Sequence, residues 1–128
     1  PVSHSDGDAV FHAVTDALLG ALGEEDIGQI FPDDASEWAD GDSTMFLREA
    51  GRRMVESGFE LGNLDVTIIC QKPKIGPHKN KMRQNLAETL EASREQVNVK
   101  AKTHEEVDAV GEGRAVEVHA VVLLFPTE

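Results

Sequence analysis

The stretch that most limits what this chain can fold into is its last one. From Ala115 to Phe125 the sequence reads as a long strand whose alternate positions Val116, Val118, Ala120, Val122 and Leu124 are apolar. Alternate residues of a strand face opposite sides of a sheet, so these five define one buried face. The other face carries Glu117 and His119 and then turns apolar. A strand that is apolar on much of both sides needs cover from two directions. A layer of helices supplies one, and the sheet of another subunit is the expected second.

The rest of the chain supplies the helices and two more strands. Asp6 to Asp8 carries N-cap and first-turn chemistry. Val10, Phe11, Val14, Leu18 and Leu22 then recur at helical spacing, predicting a helix to about Leu22 that Gly23 stops. Glu24 to Gly41 has no clean period, holds Gly28, Pro32 and many acids, and reads as a long mobile loop. A second helix is expected from Ser43 to Ser57, with Phe46, Leu47, Ala50, Met54 and Val55 facing in, ended by Gly58. The β-branched run Leu64 to Cys70 predicts a buried strand, and Gln71 to Pro77 a loop at its end. His78 to Glu91 predicts a third helix with Met82, Leu86 and Leu90 inward, Gln96 to Lys102 a second strand, and Thr103 to Gly113 a polar turn. This order predicts an α+β fold, with helices packed on one face of a mixed β-sheet.

The 128 residues fit a single domain. At 40% hydrophobic residues the chain can bury a core without staples. The one cysteine, Cys70, cannot form an internal disulfide, so a reducing compartment is expected. No apolar run reaches membrane-spanning length, and no signal peptide is visible. A net charge of −12 repels nucleic-acid backbones and anionic lipids, so neither is expected as a partner. Phosphorylated small molecules remain open, because one cleft can be locally cationic or hold a divalent metal.

Several segments can carry chemistry. His12 and Asp16, four apart, share one helix face, where an imidazole binds a metal and a carboxylate orients it, or the two are simply a surface pair. His4 and Ser5 stand ahead of the helix start, where they can join its free N–H groups on a phosphate oxygen or serve only as an arm before the cap. The carboxylates of Asp26, Asp33 and Asp34 can take a cation or sugar hydroxyls, or remain solvated charge. Lys72 and Lys74 follow a strand's C-terminal end, where ligands of α/β sheets gather, or decorate an ordinary turn. Thr103 offers a hydroxyl and an N–H to phosphate, and Glu105 a carboxylate to a bridging cation. Cys70 reads as a small buried apolar residue.

In their order along the chain these segments resemble one family. They are His4-Ser5-Asp6-Gly7-Asp8 with His12, Thr15-Asp16-Ala17 and Leu19-Gly20; Asp26-Ile27-Gly28 with Phe31-Pro32-Asp33; and Gly62-Asn63-Leu64-Asp65. Pro73-Lys74 with Pro77-His78, Val97-Asn98-Val99-Lys100-Ala101, and Thr103 with Glu105 complete the set. The sequence closely resembles the 2-C-methyl-D-erythritol 2,4-cyclodiphosphate synthases of the non-mevalonate isoprenoid pathway.

The resemblance implies a phosphorus–oxygen lyase. It would convert 4-diphosphocytidyl-2-C-methyl-D-erythritol 2-phosphate to the cyclic diphosphate and CMP. It also implies a homotrimer with its sheets facing a central axis and active sites between subunits. By that pattern His12 is a zinc ligand, with Asp16 as its helper, and Glu105 holds Mg²⁺ or Mn²⁺. His4 and Thr103 stabilise the transition state, and Ser5 contacts phosphate and sugar. Asp26, Ile27, Gly28, Phe31, Pro32, Asp33 and Asp34 form the sugar-binding loop. Cys70, Gln71, Lys72, Pro73, Lys74, Ile75 and Gly76 form the cytidine pocket, and Lys102 and His104 join Thr103 and Glu105 in binding. The setting implied is bacterial cytoplasm, or alternatively plastid stroma.

Two departures stand out. Family members begin with a strand bearing Asp-x-His, which supplies the other two zinc ligands. This sequence starts at Pro1, after that motif, and contains no other Asp-x-His. The expectation is an N-terminally incomplete domain whose strand lies upstream. Many bacterial members read Gly-Phe-Thr-Gly-Arg where this chain has Asp108-Ala109-Val110-Gly111-Glu112-Gly113-Arg114, which leaves Arg114 to meet the diphosphate. The competing expectations are a non-catalytic trimeric nucleotide- or isoprenoid-binding module that has lost its zinc site, and a metal-dependent phosphoesterase releasing linear products.

Overall fold

The computed structural model describes residues 4–25, 43–69, 78–102 and 117–128, residues 4–6 through their backbone alone. Helix α1 spans His4–Ala21, α2 Ser43–Glu56 and α3 Lys79–Thr89; strand β1 spans Phe59–Ile69, β2 Val97–Lys102 and β3 Glu117–Pro126. A short 3-10 turn, Arg94–Gln96, leads into β2. Strand β1 is central, with β2 parallel on one side and β3 antiparallel on the other, so the sheet is mixed as expected. Among the described residues no helix is long and apolar enough to cross a membrane.

The helices cover one face. Val10, Val14, Leu18 and Leu19 of α1, Leu47, Ala50 and Met54 of α2, and Met82, Leu86 and Ala87 of α3 join one core with Leu61, Leu64, Val66 and Ile68 of β1 and Val97 and Val99 of β2. Val118, Ala120, Val122 and Leu124 of β3 pack against this core. The other side of the sheet is open, and on it Val121, Leu123 and Phe125 are 68%, 54% and 51% exposed. The two-sided apolar character expected of the last strand is therefore present.

Three helices end on residues in the left-handed region: Gly23 (φ 74°), Gly58 (φ 85°) and Glu91 (φ 55°). Two of these ends are Schellman motifs. Glu24 N–H donates to Leu19 O and Gly23 N–H to Gly20 O; Ala92 N–H donates to Ala87 O and Glu91 N–H to Glu88 O. The second carries a glutamate where glycine is unstrained.

Several boundaries differ from expectation. Strand β1 starts at Phe59, five residues before Leu64. A bulge between Leu61 and Asn63 breaks the alternation there, so buried Leu61 and Leu64 stand three apart instead of two. Helix α1 starts at His4, so the backbone of His4 and Ser5 lies in the first turn and not ahead of it. Val55 was expected inside but is 67% exposed. It lines a groove of about 770 Å³ between α2 and α3, where the two helices do not close on each other. The stretches 26–42, 70–77 and 103–116, which include the expected mobile loop, lie outside the described residues.

Candidate active site

The site is framed by two strand ends. Parallel pairing sets Ile69 opposite Lys102, the last residues of β1 and β2. The chain runs from these two positions into Cys70–Gly76 and Thr103–Glu105, the segments expected to hold cytidine and phosphate. Parallel strands share a direction, so both segments leave the same edge of the sheet, where open α/β sheets collect ligands.

Upstream, α1 presents the metal candidate. His12 is exposed, and its ring centroid lies 5.4 Å from that of the buried Phe46 on α2, with the planes tilted by 49°. Asp8 and Asp16 sit one turn before and one turn after it on the same helix face. Ser43, the first residue of α2 and only 4% exposed, donates its hydroxyl to Asp8 Oδ1 at 2.7 Å. This bond and the His12–Phe46 contact tie the His12 stretch of α1 to the start of α2. The Asp8 carboxylate thus bridges two helices, where the sequence pointed only to the capping of one.

One accessible imidazole fits as a single zinc ligand, with a carboxylate a turn away to orient it. It is not a tetrahedral set. Among the described residues no group of three or more His, Cys, Asp or Glu side chains is placed to hold a metal ion.

Of the residues singled out from sequence, the structure describes His12, Asp16 and Lys102 in full and His4 and Ser5 by backbone. Asp26, Ile27, Gly28, Phe31, Pro32, Asp33, Asp34, Cys70, Gln71, Lys72, Pro73, Lys74, Ile75, Gly76, Thr103, His104 and Glu105 lie outside the described residues. Lys102 is exposed at the end of β2.

The structure adds a cluster to which the sequence assigned no role. On the open side of the sheet Asp65 accepts a hydrogen bond from Lys100 Nζ at 2.8 Å and from Asn98 Nδ2 at 3.1 Å. The Lys100 ammonium first, and then the Asn98 amide and the charge of Lys102, hold the Asp65 carboxyl below its ordinary range. The available signal was the alternation itself: with Val66 and Val99 inward, Asp65, Asn98 and Lys100 must share the other face.

With this geometry in hand, the likenesses to known proteins are specific. A family model described as the YgbB family matches residues 1–125. The chloroplastic 2-C-methyl-D-erythritol 2,4-cyclodiphosphate synthase of Oryza sativa subsp. japonica is 57% identical over 123 residues, covering 96% of this chain and 55% of the rice protein. The synthase of that name from Pectobacterium atrosepticum is 52% identical over 127 residues, covering 99% of this chain and 77% of the bacterial one. Among solved structures, IspF of Plasmodium falciparum in a CDP complex superposes with a TM-score of 0.85 at 38% identity, covering 98% of this chain and 76% of that one. This chain spans about half the length of the plant relatives and about three quarters of the bacterial one.

Proposed function

The chain belongs to the YgbB family of 2-C-methyl-D-erythritol 2,4-cyclodiphosphate synthases, and from that premise we propose that it closes 4-diphosphocytidyl-2-C-methyl-D-erythritol 2-phosphate into the 2,4-cyclodiphosphate. An oxygen of the 2-phosphate attacks the β-phosphorus, the bond from that phosphorus to the bridging oxygen breaks, and CMP leaves with the electron pair. The protein supplies no nucleophile. It brings two anionic phosphates together and holds the leaving nucleotide in line.

The observation that carries this reading is the pairing of Ile69 with Lys102. It starts the proposed cytidine segment, Cys70 to Gly76, beside the proposed phosphate segment, Lys102 to Glu105. In this reading Thr103 donates to the oxygens of the reacting phosphate, and His4 and Ser5 donate to phosphate and sugar. Asp26, Ile27, Gly28 and Phe31 to Asp34 receive the methylerythritol hydroxyls. His12 is the zinc ligand and Glu105 the ligand for Mg²⁺ or Mn²⁺; when bound, these cations lower the repulsion between the approaching phosphates.

The open face of β3 supports assembly of the chain as a homotrimer, with that face turned to the axis and each site completed by a neighbour. The plant relatives are chloroplastic; plastid stroma or bacterial cytoplasm is the proposed setting.

Phosphorus NMR of the product tests the reaction. CMP together with a cyclic diphosphate is expected. CMP with open-chain phosphates would instead identify a phosphoesterase, and binding of substrate without any product would identify a binding module.

A further inference from the structure

We propose that Asp65 is a positioning residue: by gripping Asn98 and Lys100 across the β1–β2 pair it locks the strand register that sets Ile69 and Lys102 side by side. This rests on the cyclase reading for its consequence in turnover, but the grip itself is a property of the sheet.

The helix-covered face does not determine this register by itself. It pairs Leu64 with Val97, Val66 with Val99 and Ile68 with Ala101. A shift of β2 by two residues keeps every apolar side chain inward and sets Val97 against Val66 and Val99 against Ile68. That shift moves Lys102 by roughly 6.6 Å along the sheet, at about 3.3 Å per residue. A displacement of this size removes the phosphate segment from the nucleotide segment.

The open face discriminates. In the observed register Asn98 lies directly across from Asp65, and Lys100, paired with Thr67, reaches it diagonally. If β2 advanced by two, Lys100 would face Ile69 and its ammonium would leave Asp65. The same advance would carry Gln96 away from Leu61 O, to which its Nε2 donates a hydrogen bond of 2.6 Å. Asp65 and Gln96 therefore guard the same direction of slip, the one that would carry Lys102 past Ile69. The Lys100 ammonium and the Asn98 amide hold the Asp65 carboxyl below its ordinary range, in keeping with these contacts.

The pair is too exposed to serve mainly as a stabiliser. The Lys100 and Asp65 side chains are 44% and 39% exposed, and ion pairs in such settings contribute little to folding. Placement is different, because catalysis falls steeply with small errors in position. A positioning role thus predicts a large effect on turnover with a small effect on melting.

The test compares Asp65→Asn, Lys100→Met, the double variant and Lys100→Arg in the full chain. Asp65→Asn should lower kcat roughly 10- to 100-fold while KM and CMP affinity stay within about two-fold. The double variant should be no worse than the poorer single one, and Lys100→Arg should retain most of the turnover. Amide hydrogen exchange at Ala101 and Lys102, which needs no turnover, should quicken in Asp65→Asn. Wild-type kcat in Asp65→Asn overturns the proposal, as does unchanged exchange at Ala101 and Lys102. A parallel fall of kcat, CMP affinity and melting temperature, or loss of subunit assembly in that variant, overturns it too. If the wild-type chain makes no cyclic diphosphate, the cyclase reading fails, while the exchange measurement still decides for or against the grip.

Discussion

The ring of Phe125 occupies the space that a side chain on residue 62 would need: a Cβ built on Gly62 would lie 2.6 Å from Phe125 Cε2 and 3.1 Å from Leu123 O. The ring can swing away, but the carbonyl belongs to the neighbouring strand. Gly62→Ala should therefore destabilise the fold by about 1–3 kcal/mol, as overpacking does. Adding Phe125→Ala should recover part of the loss, leaving the strain against Leu123 O. Thermal unfolding of both variants checks this, and additive losses would remove the ring from the explanation.

Glu91 offers the opposite experiment. Its φ of 55° completes the Schellman motif after α3, at a cost that glycine avoids. Glu91→Gly should raise stability by about 1 kcal/mol and the melting temperature by roughly 3–6 °C. A lower melting temperature would mean that the glutamate side chain contributes more than its backbone costs.

Acid stability should depend on Glu49. Its carboxylate accepts hydrogen bonds from Arg52 at 2.6 and 2.8 Å and from Arg53 at 2.8 Å. Arg52 foremost and then Arg53 hold its pKa at about 2, against an ordinary 4.5. The folded protein therefore binds fewer protons here than the unfolded chain between these values. The contribution is complete above pH 4.5 and is lost as pH falls through about 2. Glu49→Gln should cost about 1 kcal/mol at pH 7, after solvent screening of the half-exposed Arg52. The two proteins should converge in stability towards pH 2, as denaturant titrations at several pH values will report.

His12→Gln should reduce zinc bound per chain, measured by elemental analysis, and lower turnover with it. The fold should hold, because His12 is exposed and its contact is with one ring, Phe46. Full zinc content in the variant would remove His12 from the ligand set.

Leu123→Asp places a charge on the open side of β3, where Leu123 is 54% exposed. Sedimentation should show a trimer for the parent chain and smaller species for the variant. A monomeric parent, or a trimeric variant, would place the assembly surface elsewhere.

Most of the scaffold could be read from the residues. The apolar stripe of α1, the inward Val97 and Val99, and the two-sided last strand all follow from periodicity, because burial on one face imposes it. Legibility failed where backbone geometry overrides period. Gly62 and the bulge beside it hid the first half of β1, and Val55 fell in helical register yet faces a groove. The ion pair of Asp65 with Lys100 depends on strand pairing, which no local window contains. The family likeness rests on ordered motifs, such as Pro73-Lys74 and Thr103 with Glu105, whose placement is a matter of tertiary structure and not of sequence period.

The topology has a temporal side. Strand β1 is the centre of the sheet, yet both of its neighbours come later in the chain. Asp65 and Asn98 are 33 residues apart, so at about 5–20 residues per second the growing chain would carry an unpaired, apolar β1 for roughly 2–7 s. Its β3 edge waits longer still. The central position that makes β1 the best-protected strand of the finished sheet makes it the longest unpaired one on the ribosome, and the natural first target for a chaperone.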